Sequence, residues 1–149
     1  MRLFYFLISV FFLILSTATS AGQGDKSVIA FAQDTMKNDF RKAQVFAVRD
    51  AVAEHPNLTF IYSDAQGRTS LLIRQIEAFI AQKVDVLVVG TNDEKTVVPV
   101  ISKAHTAGIK VIILDRGVQT NDYTTFINSD NIKIGAMGAR YIAQQLDGK

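Results

Sequence analysis

An aspartate and an arginine stand side by side after a short apolar run. The run covers residues 111–114 (VIIL), and Asp115 and Arg116 separate it from Gly117. Consecutive apolar residues closed by charges and a glycine predict a strand buried on both faces of a parallel sheet. Open α/β sheets bind ligands at the carboxyl end of such strands. A carboxylate beside a planar guanidinium suits a ligand rich in hydroxyl groups, although an Asp-Arg ion pair that closes a loop is the alternative.

Polar side chains follow the other apolar runs in the same way. Gln33 comes directly after the first run, residues 91–93 follow the third, and residues 129–131 follow the fifth. Because the carboxyl ends of parallel strands meet at one edge of a sheet, we expect these groups to converge with Asp115 and Arg116 on one rim. Polar side chains beside an aromatic platform, without a catalytic constellation, are typical of a binding cleft.

Several classes of function lack their sequence signatures. The turn at residues 33–39 (QDTMKND) contains no glycine, so neither a dinucleotide fingerprint nor a P-loop fits after the first strand. The chain has no cysteine and no nucleophile elbow, and its formal net charge of +2 comes without a Lys/Arg cluster. We predict a protein that is not an enzyme, holds no metal or cofactor and binds no nucleic acid. A flavodoxin-like hydrolase is the remaining enzyme alternative.

The first 21 residues are predicted to be a secretory signal peptide. Arg2 is the only charged side chain before an apolar run over residues 3–15, and small residues follow through Ala21. The run is shorter than the roughly 20 residues that a membrane span needs. We predict cleavage after Ala21, export to the periplasm of a Gram-negative bacterium, and no stable membrane insertion afterwards. A single-pass anchor is the alternative.

Strands and helices are expected to alternate through the rest of the chain. Apolar runs predict strands at residues 28–32, 58–62, 86–89, 111–114 and 124–128. Helical patterns cover residues 39–54, 69–82, a stretch including 101–105, and 131–146. In the first helix, Phe40, Ala43, Ala47 and Ala51 share one line. Right-handed βαβ units then predict an α/β fold with a parallel, doubly wound sheet.

Four stretches together resemble a known family, the ribose/galactose-type periplasmic sugar-binding proteins of ABC importers, which have the type I periplasmic binding protein fold. The resemblance implies the flavodoxin-like strand order 2-1-3-4-5 for the parallel sheet of the lobe. The chain looks most like the galactofuranose- and ribose-binding members, and the resemblance covers essentially all of the mature chain. The stretches are FAQ at 31–33 with Phe40-Arg41, QKVDVLVVGTND at 82–93, AGIKVIILDRG at 107–117 and NSDN at 128–131.

The resemblance implies roles for individual residues. Phe40 stands where the family stacks an aromatic ring on the sugar, with a core aromatic as the alternative. Arg41 matches the arginine of a galactofuranose-type Trp-Arg pair, with an exposed helix arginine as the alternative. Asp115 and Arg116 match the pair that grips ring hydroxyls. The predicted ligand-binding residues are Gln33, Phe40, Arg41, Asn92, Asp115, Arg116, Ser129 and Asp130.

The resemblance also implies a two-lobed protein whose lobes close over the ligand. Residues 22–129 would form the N-terminal lobe, with residues 130–149 as the hinge crossing and the first helix of a second lobe that is otherwise absent. A final helix packed on the same sheet, in a self-contained flavodoxin-like domain, is the alternative. The implied function is capture of a small sugar for an ABC permease. A sensor subunit that reports to a membrane receptor kinase or chemoreceptor is the second possibility.

Overall fold

The structure, a computed structural model, describes residues 26–147, in which strands and helices alternate except that the fifth strand follows the fourth with no helix between them. The predicted signal peptide at residues 1–21 lies outside the described residues. Within the described range no helix combines the length and the hydropathy needed to span a membrane. The elements are β1 (Ser27–Gln33), α1 (Asp39–Ala53), β2 (Leu58–Asp64), α2 (Thr69–Ala81), β3 (Val86–Gly90), α3 (Val98–Thr106), β4 (Lys110–Leu114), β5 (Thr125–Ile127) and α4 (Asn131–Gln145).

All five strands lie in one parallel sheet with the order β2-β1-β3-β4-β5, which confirms the predicted fold class and strand order. The chain starts in the middle, adds β2 on one side and then β3, β4 and β5 on the other. The order therefore reverses between β1 and β3. At the carboxyl end of these two strands, Gln33 pairs with Gly90, and on its other side Gln33 pairs with Asp64.

Two apolar layers cover the two faces of the sheet. On one face α2 and α3 bury Leu72, Ile76 and Ile101 against strand residues such as Leu87. On the other face a smaller cluster joins Phe31, Val45 and Val88, and α1 supplies Val45. Each fully buried large apolar side chain contributes about 1.5 to 3 kcal/mol. Both layers hold the strand ends in fixed register at the rim.

The buried face of α1 differs from the predicted one. Phe40, Ala43, Ala47 and Ala51 are all exposed, and the helix instead buries Arg41, Val45 and Val52. Valine side chains remove more apolar surface from water than alanines do, so the helix turns its valines towards Phe31 and Val88. The buried line of α1 therefore lies about one residue further along the helix than the predicted line of Phe40 and the three alanines.

The last helix, α4, is exposed along its whole length. No residue of α4 is buried, and a Cβ added at Gly135 or Gly138 would meet nothing within 4 Å. Its side chains Ile134, Met137 and Tyr141 are more than half exposed. The alternative in which this helix packs on the sheet as part of a self-contained flavodoxin-like domain therefore does not match the structure.

Candidate functional site

The turn after β1 is tied to both neighbouring strands. The backbone N–H of Asp34 donates to the carbonyl oxygen of Gly90 at 2.9 Å, and the N–H of Ala65 donates to the carbonyl of Gln33 at 2.8 Å. The Asp34 carbonyl in turn accepts from the N–H of Gly67 at 2.7 Å. These bonds fix the end of β1 where the strand order reverses, which is where open α/β sheets form ligand crevices.

The start of α1 places two site candidates in opposite environments. Asn38 caps the helix, because its Oδ1 accepts the backbone N–H of Arg41 at 2.9 Å. In the first turn Phe40 is 62% exposed, whereas Arg41 is only 5% exposed. Phe40 is therefore not a core aromatic, and Arg41 is not an exposed helix arginine. The structure rules out both sequence-based alternatives for these residues.

Arg41 connects three segments of the chain at the rim. Its Nη1 donates to Asp34 Oδ1 at 2.6 Å, and its Nη2 donates to Asn92 Oδ1 at 2.9 Å. The loop that carries Asn92 is held by Thr91, whose Oγ1 accepts the backbone N–H of Asp93 at 3.0 Å. The guanidinium thus joins the ends of β1 and β3 across the point where the strand order reverses.

Burial controls the charge state of Asp34. Its side chain is 7% exposed and its Oδ2 has no hydrogen-bond partner. Burial raises the pKa of Asp34 above its ordinary value, and the positive charges of Arg41 and Arg116 and the N–H of Thr35 only partly oppose this shift. The Asp34 carboxylate is therefore held by Arg41 on one oxygen and is short of partners on the other.

Gln33 lies at the rim but beneath its surface. The side chain is fully buried, and neither amide atom has a hydrogen-bond partner. It occupies the space over Gly90, because a Cβ at that position would clash with Gln33 Oε1. The Gln33 amide is therefore not exposed at the rim, and this predicted ligand-binding residue is not presented directly.

Asp115 and Arg116 end β4 in an unusual backbone conformation. Asp115 has a φ of 69°, in the left-handed region, and its N–H donates to the carbonyl of Ile127 at 2.8 Å. The Asp115 side chain is half-buried and Arg116 is exposed, and no ion pair joins the two. The structure therefore does not contain the loop-closing ion pair of the alternative interpretation. Both polar groups remain available at the edge.

Ser129 and Asp130 follow β5 at the same edge and are exposed. Asp130 caps α4, because its Oδ1 accepts the backbone N–H of Lys133 at 2.9 Å. Its carboxylate therefore already has a structural partner, which the sequence pattern did not reveal.

Two aspartates of the site were missed by sequence reasoning. Asp34 is the first residue after β1, in the same position relative to its strand that drew attention to Asp115. Asp64 ends β2, and its Oδ1 accepts the N–H groups of Met36 at 3.2 Å and Gln66 at 2.7 Å. The signal for both was available, since each is a carboxylate at the carboxyl end of an apolar strand.

The opposite edge of the sheet also has a cavity, of about 750 Å³, lined by residues that include Ser27, Asp85 and Lys110. None of the predicted binding residues lies there. In the range 26–147, moreover, no group of three or more His, Cys, Asp or Glu side chains is placed to hold a metal ion. The carboxyl edge with Arg41 remains the stronger candidate site.

Comparisons with known proteins agree with this fold. A family model described as a periplasmic binding protein domain matches residues 29–149. The galactofuranose-binding protein of Escherichia coli is 29% identical over 149 residues, which cover 92% of this chain and 45% of that protein. The ribose import binding protein of Bacillus subtilis is 27% identical over 128 residues, covering 86% and 42% of the two chains.

A solved structure shows the same similarity in three dimensions. The fructose-binding periplasmic domain of a hybrid two-component system superposes with a TM-score of 0.74 at 26% identity, covering 83% of this chain and 41% of that one. The chain thus spans less than half of the length of the proteins that it matches.

Proposed function

Since the chain belongs to the periplasmic binding protein family, we propose that it captures a small sugar at the carboxyl edge of its sheet and presents it to an ABC permease. Like the relatives named for galactofuranose binding and ribose import, it is a binding protein and not an enzyme. The observation that supports this most strongly is the buried Arg41, which joins Asp34 and Asn92 where the strand order reverses.

The exposed groups around Arg41 have the chemistry that a sugar requires. Phe40 offers an exposed ring face for the C–H face of a sugar, worth about 1 kcal/mol beyond burial. Asp115 and Arg116 offer an acceptor and several donors for ring hydroxyls, and charged hydrogen bonds contribute about 1.5 to 3 kcal/mol each. Asn92, Ser129 and Asp130 would add neutral and acidic contacts along the same rim, and Gln33 would contribute from below.

We also propose that residues 22–129 form one lobe and residues 130–149 a hinge crossing with the first helix of another. The lack of any buried residue in α4 supports this division. In a two-lobed protein the ligand is enclosed when the lobes rotate about the hinge. If a complete cleft binds at about 1 μM and one lobe supplies half of the free energy, the lobe alone binds in the millimolar range.

A sugar panel tests this function. The purified protein is mixed with pentoses, hexoses and furanoses at millimolar concentration, and its melting temperature is followed by intrinsic fluorescence. We expect an upward shift with one sugar or a small related group. The matched variant Asp115→Asn should lose the shift while keeping the melting temperature of the free protein. A protein that melts cooperatively but responds to no sugar would contradict the proposal.

Export to the periplasm is part of the proposal. Residues 1–21 have the sequence pattern of a signal peptide. The mature protein should appear in the osmotic-shock fraction of a Gram-negative host, with an intact mass that corresponds to cleavage after Ala21. Retention of the full-length mass in the membrane fraction would instead support the anchor alternative.

A sensor role is the second candidate, because the fructose-binding domain with the same fold belongs to a two-component system. In that role the ligand state would pass to a membrane receptor kinase or chemoreceptor. Deletion of the gene separates the two roles. Loss of uptake of the labelled sugar supports the permease partner, whereas intact uptake with loss of a transcriptional or chemotactic response supports the receptor.

A further inference from the structure

We propose that Asp34 is a positioning and specificity-determining residue. It fixes the guanidinium of Arg41 and balances its charge. The site therefore binds uncharged hydroxyl groups and rejects sugar acids and sugar phosphates. This inference rests on the proposed sugar-binding function and narrows its ligand class. It concerns a residue that the sequence pattern did not single out.

The first step is geometrical. Nη1 of Arg41 is 2.6 Å from Asp34 Oδ1, and the two side chains are 6% and 7% exposed. A guanidinium presents its donors in a rigid fork, so anchoring one nitrogen on Asp34 sets the direction of the other towards Asn92. The turn that carries Asp34 is itself fixed by the hydrogen bond to Gly90. Asp34 therefore determines where the remaining donors of Arg41 point.

The second step is electrostatic. An arginine without a partner would attract a ligand carboxylate or phosphate through a bidentate contact. Here the positive charge of Arg41 is already balanced by a buried carboxylate. At the same edge Asp64 and Asp115 add two negative charges and Arg116 adds one positive charge, so the carboxylates outnumber the guanidinium groups. An anionic ligand would have to approach these carboxylates to reach Arg41. A hydroxyl group faces no such repulsion.

The third step concerns the second oxygen of Asp34. Oδ2 is buried and has no hydrogen-bond partner, and the Gln33 amide next to it in the chain is also unpartnered. A buried acceptor gains most from a group that can donate. A sugar hydroxyl can donate to Oδ2, whereas an ionised carboxylate or phosphate oxygen cannot. Asp34 thus attracts a hydroxyl group of the ligand at this position and repels an anionic group placed there.

The test compares matched ligands on matched variants. Each neutral sugar that binds is compared by calorimetry with its charged counterpart, for example D-galactose with D-galacturonate and D-ribose with its phosphate ester. The proteins are the wild type, Asp34→Asn and Asp34→Ala. The control is Asp50→Asn, which removes a carboxylate paired with Arg49 at 2.7 Å on the exposed side of the same helix.

We expect the wild type and Asp50→Asn to prefer the neutral ligand by at least about tenfold. Asp34→Asn keeps an oxygen for Arg41 but loses the charge, so the preference should fall about tenfold while the protein stays folded. Asp34→Ala should also weaken the neutral ligand, because Arg41 loses its anchor. If Asp34→Ala does not fold, the affinities of Asp34→Asn provide the test. The NMR signals of the Arg41 guanidinium in Asp34→Asn should then remain protected from exchange with water, which shows that the arginine is still held in place.

Two results would overturn this inference and leave the sugar-binding function intact. One is a ratio of neutral-sugar to anion affinity that is the same in Asp34→Asn as in the wild type. The other is a wild type that binds the anion as tightly as the neutral sugar. Absence of binding to any sugar of the panel would overturn the function itself, and the inference with it. The two failures are therefore distinguishable.

Discussion

Phe40 and Arg41 are neighbours in sequence whose environments are the reverse of what their side chains suggest. The phenylalanine is exposed and the arginine is buried. Sequence reasoning left both assignments open, because a buried arginine depends on partners that local pattern does not reveal. Asp34 lies seven residues earlier in the chain and Asn92 lies 51 residues later. Only the fold brings them to one guanidinium.

Removal of the Phe40 ring should separate binding from stability. Because the ring is 62% exposed, Phe40→Ala should change the free energy of unfolding by less than about 0.5 kcal/mol. Affinity for the sugar should fall about fivefold, which corresponds to the loss of about 1 kcal/mol of stacking. Urea unfolding and calorimetry measure the two effects. Phe31→Ala is the buried control, with an expected cost of about 3 to 5 kcal/mol.

The raised pKa of Asp34 predicts a pH dependence of stability. A carboxyl group whose pKa is higher in the folded chain holds its proton more tightly when folded, so its stabilising contribution is present at low pH and is lost as the pH rises through the raised pKa. The free energy of unfolding of the wild type minus that of Asp34→Asn should therefore decrease as the pH rises from the ordinary pKa of an aspartate through the raised pKa of Asp34.

Asp50 provides the control of opposite sign. Its hydrogen bond with Arg49 lowers the pKa of Asp50, so its contribution appears above the ordinary pKa of an aspartate and is lost as the pH falls. The wild type minus Asp50→Asn difference should increase with pH in the same urea titrations. Parallel curves for the two variants would show that the burial of Asp34 does not govern its ionisation.

At the level of elements, pattern reasoning succeeded where the pattern is strong. Strand β4 and helix α2 have continuous or regularly spaced apolar residues, and both were predicted within one residue of their bounds. The face of α1 was predicted wrongly, since its alanines and valines form adjacent lines and only the shape of the sheet decides which line is buried. The sequence predicted which residues of the candidate site follow strand ends but not which of them pair, because strand ends can be read from sequence while hydrogen-bond partners cannot.

The pairing of β1 with β3 requires a glycine opposite Gln33. A methyl group at position 90 would clash with Gln33 Oε1, so Gly90→Ala should destabilise the protein by about 1 to 3 kcal/mol. In a Gln33→Ala background the cost of the same substitution should shrink, which a double-mutant cycle in urea measures.

Gly135→Ala is the matched control for this cycle, because a Cβ there meets nothing within 4 Å and alanine favours a helix by about 0.5 to 1 kcal/mol over glycine. Equal costs of Gly90→Ala in the two backgrounds would mean that the Gln33 side chain does not occupy the space above this glycine.

At the level of the whole molecule, the sheet and its two layers form a packed unit to which α4 contributes no buried side chain. The large apolar residues of α4 that are more than half exposed are Ile132, Ile134, Met137, Tyr141 and Ile142, and Leu146, directly after the helix, is also more than half exposed. This division agrees with the proposed boundary at residues 129–130. The packed unit should unfold as one cooperative transition that does not depend on the last helix.

Substitutions in α4 test this independence. Ile134→Ala should change the free energy of unfolding of the sheet by less than about 0.5 kcal/mol, because the side chain is 56% exposed. Ile101→Ala, in the core between α3 and the sheet, should cost about 2 to 5 kcal/mol. Urea unfolding followed by circular dichroism compares the two. A cost above 1 kcal/mol for Ile134→Ala would indicate that α4 packs on this sheet in solution.

The left-handed backbone at Asp115 limits the side chains that evolution can sample at this position. A φ of 69° is readily adopted by glycine, asparagine and aspartate, and poorly by β-branched residues. Recurrence of aspartate here across homologous sequences would therefore reflect two selective pressures, one from the turn and one from the ligand. Asparagine satisfies the turn without the negative charge, so the frequency of asparagine relative to aspartate among homologues measures selection on ligand binding alone.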